Sequence, residues 1–190
     1  MALTQVAGGL IASGQTITSP TLSSPTINGT PVMGASVITS GTAVASTSGT
    51  AINFTGIPSW VKRITVMVAG ISTNGTSLIQ IQVGSGSVST SGYASQASAA
   101  TSGSGVVTTG LVIVQQMAAV QTYSGAAVLT LLGSNTWVCF GYLGYVVATS
   151  TGPSFGGTTP ALGGTLDRVR LTTVNGTDTF DAGSVNILYE

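Results

Sequence analysis

From about residue 41 the chain alternates between short runs rich in apolar residues and clusters of Gly, Ser and Asn. Ala51 to Phe54 is one such run. Arg63 to Ile71 is stronger, with Ile64, Val66 and Val68 on one face and Thr65, Met67 and Ala69 on the other, the period of a half-buried strand. Asn74-Gly75 turns this run into Leu78 to Val83. Gly84 to Gly105 reads mostly as loop, with a short piece around Tyr93. Val106 to Gln116, Ala126 to Leu132, Thr136 to Ala148 and Gly164 to Val174 supply further strands. Ala118-Ala119 allows a helical turn, but no window sustains a 3.6-residue period.

The last stretch, Leu162 to Glu190, carries the clearest hairpin signal. Val169, Leu171 and Thr173 alternate with Arg168, Arg170 and Thr172. Asn175-Gly176 follows, a dipeptide suited to a two-residue turn with positive φ. Thr177 to Phe180 answers the first run. After a break at Asp181-Ala182-Gly183, Val185 to Tyr189 forms a last strand with Val185, Ile187 and Tyr189 on one face. Many short strands separated by regular turn signals predict an all-β fold, a β-sandwich of jelly-roll-like character, over residues 41–190. Trp137 is the expected core anchor, and Trp60 is expected to close the core next to Pro58.

Residues 1–40 follow a different rule. They hold no charge and no aromatic ring, and they contain a five-residue repeat: Thr16-Ile17-Thr18-Ser19-Pro20, Thr21-Leu22-Ser23-Ser24-Pro25, Thr26-Ile27-Asn28-Gly29-Thr30, with Val32 next in phase. An odd period cannot keep Ile17, Leu22 and Ile27 on one face of a flat strand. Pro20 and Pro25 cannot donate ladder hydrogen bonds in a central one. A disordered Pro/Ser/Thr linker is one reading. The regular apolar spacing favours the other, an extended arm that orders against identical chains or a neighbouring surface.

Composition sharpens this picture. Only 4% of the 190 residues are charged, against about 25% in ordinary soluble domains. Six of the eight charges sit in the last stretch: Asp167, Arg168, Arg170, Asp178, Asp181 and Glu190. Lys62 and Arg63 are the other two. A surface of hydroxyls and amides repels its neighbours weakly, which favours permanent assembly. A net charge of zero argues against nucleic acid. The longest apolar run, Trp137 to Ala148, is too short to span about 30 Å of hydrocarbon, so no membrane insertion is expected. The N-terminus lacks the basic region of a signal peptide, so ordinary secretion is not expected either. Cys139, the lone cysteine, reads as a buried thiol.

Catalytic chemistry is poorly supplied. With no histidine there is no His-based triad and no His-ligated zinc. One cysteine cannot hold zinc, and no phosphate-loop motif occurs. Asp178 and Asp181 read as charge partners of Arg168 or Arg170 at the hairpin, rather than as a glycosidase pair or a calcium site. No enzyme activity and no cofactor are expected. Among the aromatic residues, Tyr93 and Tyr123, flanked by Ser and Gly, are the expected exposed rings and the candidate glycan contacts.

Two blocks carry a family likeness. Phe54-Thr-Gly-Ile-Pro58-Ser-Trp60-Val-Lys62-Arg63-Ile64-Thr-Val-Met, followed by Gly70-Ile-Ser72-Thr-Asn74-Gly, is the first. Gly164-Thr-Leu-Asp167-Arg168-Val-Arg170-Leu-Thr-Thr, followed by Asn175-Gly-Thr-Asp178-Thr-Phe180-Asp181-Ala-Gly183-Ser-Val-Asn186-Ile-Leu-Tyr189-Glu190, is the second. In this order they resemble the C-terminal β-domain of many tailed-bacteriophage virion proteins labelled tail fibre or tail protein. The Thr-Ile-Thr-Ser-Pro repeat looks like the attachment segments of phage tail and head fibres. The resemblance implies a structural virion protein assembled in the host cytoplasm, often a homotrimer, with host surface glycan as a ligand of some members. The arm would dock to capsid, portal or tail proteins through Ile17, Leu22, Ile27 and Val32. A capsid decoration protein without a receptor role is the alternative, and a bacterial β-sandwich lectin a distant third.

Overall fold

The computed structural model describes residues 38–99, 102–115, 118–145 and 152–190, all within one compact unit, Ser36–Glu190. Ile17, Leu22, Ile27 and Val32 lie outside the described residues, as does nearly all of the repeat-bearing segment. Every regular element described is a β-strand: β1 (Thr39–Ser40), β2 (Val44–Ala45), β3 (Ala51–Thr55), β4 (Arg63–Thr73), β5 (Ile79–Ser85), β6 (Ser87–Val88), β7 (Ala94–Ala99), β8 (Ser102–Gly103), β9 (Leu111–Val112), β10 (Tyr123–Gly133), β11 (Thr136–Tyr145), β12 (Ser154–Thr158), β13 (Arg168–Thr173) and β14 (Phe180–Tyr189). The larger sheet has the order β1-β14-β4-β10-β11-β12-β7-β8, with β2 also on β14. The smaller has the order β3-β13-β5-β6, with β9 also on β5. All these pairings are antiparallel. The fold is a β-sandwich, as the turn spacing predicts. Thr39 and Ser40 already pair with Tyr189 and Leu188, so the first sheet residues fall within the stretch assigned to the arm.

The core follows from alternation. Ile64, Val66 and Val68 of β4 point inward with Ala127 and Leu129 of β10, Trp137 and Cys139 of β11, and Val185 and Ile187 of β14. They meet Ile52 and Phe54 of β3, Ile79, Ile81 and Val83 of β5, and Val169 and Leu171 of β13. Trp137 is the buried anchor expected of it. Gly141, between Cys139 and Leu143 on the inner face of β11, leaves room for the Phe155 ring, which any Cβ there would strike. Strand β5 is buried on both faces: Gln82 donates to the Thr109 carbonyl at 2.8 Å, and Gln80 accepts from the Thr109 hydroxyl at 2.9 Å. Those bonds make a buried amide affordable.

Neither Asn-Gly pair closes a hairpin, contrary to the sequence expectation. Asn74-Gly75 carries the chain from β4 in the larger sheet to β5 in the smaller, and Asn175-Gly176 carries it from β13 back to β14. The reason is edge occupancy. Both edges of β13 are taken, by β3 and β5, so β14 finds its partner in β4. Gly176 has φ +71° but Asn175 is not left-handed, so the two-positive-φ geometry of a two-residue hairpin turn is missing. The two crossovers instead pack side by side. Asp178 accepts the Ser77 N–H at 2.8 Å and the Asn175 side-chain amide at 2.6 Å. Asn74 exchanges hydrogen bonds with Thr179, its N–H reaching the Thr179 carbonyl and its Oδ1 accepting the Thr179 N–H. A tight two-residue hairpin does form between β10 and β11, where Ser134 (φ +47°) and Asn135 (φ +58°) supply the left-handed pair.

Asp178→Ala removes one bond that joins the crossovers, from the Ser77 N–H, and one within its own, from the Asn175 amide. We expect a loss of about 1–2 kcal/mol in urea denaturation, with Asp178→Asn milder. An unchanged midpoint would mean that the crossovers hold without this staple. Cys139 is buried, and burial pushes its thiol pKa up to about 12. It therefore stays protonated at pH 8 and should react with a thiol reagent only on unfolding, which labelling in and out of denaturant would read directly.

Candidate functional site

The two tyrosines expected at the surface are inside. Tyr93 is buried; its hydroxyl accepts the Val83 N–H at 2.9 Å and faces the Ser89 carbonyl at 3.0 Å. Burial raises its pKa to about 12. Tyr123 opens β10 fully buried, its hydroxyl donating to Gln121 Oε1 at 3.2 Å. The Ser and Gly neighbours that suggested exposure are small, and they let both rings sink between the sheets. Neither can be a glycan contact in this fold.

Trp60 moves the other way. It is not in the core but 51% exposed. The segment before β4 sends Ile57 and Val61 inward, and a turn in which the Val61 N–H reaches the Pro58 carbonyl at 3.1 Å leaves Trp60 on the outside. This turn is pinned on both sides. The Lys62 and Arg63 N–H groups both donate to the Glu190 carbonyl, at 2.8 and 2.9 Å, and the Lys62 carbonyl accepts the Leu131 N–H at 2.9 Å. The indole tilts against Tyr189, ring centres 5.9 Å apart at 48°.

Around this pair stand hydrogen-bonding groups. Arg63 and Glu190 form an ion pair at 3.1 Å with both side chains part-exposed. They line a groove of about 330 Å³ with Ile38, Thr65, Leu188 and Tyr189. Tyr189 also borders a second groove, of about 260 Å³, where Thr42, Asn53 and Thr55 bring polar side chains. An exposed indole tilted against a partly buried tyrosine, beside a guanidinium–carboxylate pair, suits a ligand with an apolar C–H face and hydroxyl edges. The sequence signal for this place was faint: Trp60 lies two and three residues before Lys62 and Arg63, the sole charges outside the terminal stretch.

The remaining charges do other work. Asp167 takes two hydrogen bonds from Arg168, at 2.7 and 3.2 Å, and one from the Gly86 N–H, and the guanidinium holds its carboxyl below the usual range. Arg170 donates to Asn53 Oδ1 at 2.9 Å. The expected partnership of Asp178 with these arginines fails because β13 and β14 are not neighbours. Among the described residues no group of three acidic, Cys or His side chains could hold a metal ion. Searches of family models, curated proteins and solved structures return no match to this chain.

The two tryptophans should separate in fluorescence quenching. Acrylamide is expected to quench an accessible population from Trp60 and to spare a shielded one from Trp137. Trp60→Phe should abolish the accessible component. Its persistence in that variant would place Trp60 inside.

Proposed function

We propose that this chain is a non-enzymatic structural protein of a tailed-bacteriophage particle, a homotrimeric fibre or adhesion protein on tail or head that meets host surface glycan at its Trp60–Tyr189 end. The exposed indole on a pinned turn carries the glycan part. A large aromatic side chain left half in water has a cost, and rigid ring faces next to charge-bearing donors and acceptors are what a saccharide needs. The virion part draws on the resemblance of the two sequence blocks. They are neighbours in the sandwich: Phe54 pairs with Val169 and Ile64 with Tyr189. The scarcity of charge supports permanent assembly.

In this reading residues 1–40 attach the sandwich to other virion proteins, with Ile17, Leu22, Ile27 and Val32 as apolar pegs. A capsid decoration protein without a receptor role is the second reading, favoured by the absence of any shaft-like element among the described residues.

Glycan-array binding by the full chain tests the first reading. Binding by the parent and a loss of about 30-fold or more in Trp60→Ala are expected, since truncating an aromatic anchor that the ligand covers costs about 2 kcal/mol. No binding by the parent would leave the decoration reading, and equal binding by both would move the site elsewhere. Deleting residues 1–34 should leave a folded domain that no longer joins particles; recovering the shortened chain on purified virions would reject that division of labour.

A further inference from the structure

Folding sorts the charges into one wing of the molecule. All eight lie on β4, β13, β14 or the residues beside them, and Ile64 to Leu166 contains none. The strands β10, β11, β12, β7 and β8 therefore stand side by side in the larger sheet without a single charge. Their outward face is not merely neutral. Phe140 is 59% exposed and Tyr142 55%. The Tyr142 hydroxyl accepts the Gly152 N–H at 3.1 Å, which fixes the ring.

The same face has a dip. Across one row the register runs Val128–Phe140–Gly156–Gln96, so a side-chain-free position separates the Phe140 ring from Gln96. Gly156 does not have a left-handed φ, so its missing side chain shapes the surface, not the backbone. Shallow hollows of about 260 and 240 Å³ meet at it.

Taking the chain to assemble from identical copies, as proposed above, we infer that this uncharged β10–β11–β12–β7 face is the contact between them, with Phe140 of one copy seated in the Gly156 dip of another. Knob and dip lie side by side on one face, so around a threefold axis each copy can give its knob to the next and receive the knob of the last, a head-to-tail contact that closes into a ring. With no charge on either side, two identical faces meet without like-charge repulsion and without stranding an ion in the contact. A charged partner, by contrast, would find nothing here to pair with. Exposed aromatic residues at the centre are what such a contact needs for its anchors.

The test is native mass spectrometry and sedimentation of the full chain, parent against Phe140→Lys/Tyr142→Lys. Both rings are exposed and the substitution removes the Tyr142 bond to the Gly152 N–H, so the β-sheet signal should be kept with at most a small drop in melting temperature, while self-association weakens about 100-fold or more. Gln96→Lys, on the far side of the dip, is a milder variant and should weaken it in the same direction. If the parent assembles and both folded variants assemble as tightly, the contact lies elsewhere and the homotrimer reading stands. If the parent is a single chain at every concentration, both fall.

Discussion

The ladder between β4 and β14 is the constraint on which the rest of the structure depends. It runs from Ile64↔Tyr189 to Thr73↔Phe180, along all of the eleven-residue β4 but Arg63. At one end the Arg63 and Glu190 backbones exchange hydrogen bonds; at the other the two crossovers are tied through Asp178 and Asn74. Its inward residues, Ile64, Val66, Val185 and Ile187, are each at most 2% exposed. Burying each such side chain stabilises the fold by roughly 1.5–3 kcal/mol. Because β14 holds β1 and β2 and β4 holds β10, both wings of the larger sheet are hung from this pair. The exposed Trp60 turn is set by the same ladder, since its anchor is the Glu190 backbone.

Strand existence was legible wherever large apolar residues alternate, as in β4, β10, β11 and β13. It was not legible in β7, where Ala94 to Ala99 alternates between exposed and buried positions with residues too small to signal it. The five residues of β12, of which Phe155 is the one large apolar, were missed for the same reason. The break at Asp181-Ala182-Gly183 is real but local: β14 passes through it with register shifts, and Gly183 takes φ +90°. Partner choice was the least legible property. An Asn-Gly pair specifies a reversal, while the free edges of distant strands decide whether it becomes a hairpin or a crossover. The candidate site suffered likewise. Local polarity around Tyr93 and Tyr123 says nothing about how far small neighbours let a ring sink, and Pro58-Ser59-Trp60-Val61 does not reveal which of its apolar residues turns inward.

Scarcity of charge gains meaning once it is mapped onto the sheets. Eight ionic side chains dispersed evenly over the surface would mean little beyond modest solubility. Gathered around β4, β13 and β14, they leave one wing where water is the weaker competitor for contact. The glycan-facing and copy-facing roles proposed above then fall on different parts of the sandwich. The Trp60–Tyr189 end lies in the charged wing, where hydrogen-bonding ions are at hand, and the Phe140 face lies in the neutral one.

On the reading proposed above, the chain is one of a fixed number of copies on a particle. Quantitative mass spectrometry of purified phage particles, counting this chain against the major capsid protein, tests that most directly. The account predicts a constant copy number in whole multiples of three. Particles that lack the chain, or carry it in amounts that vary from one preparation to the next, would contradict it.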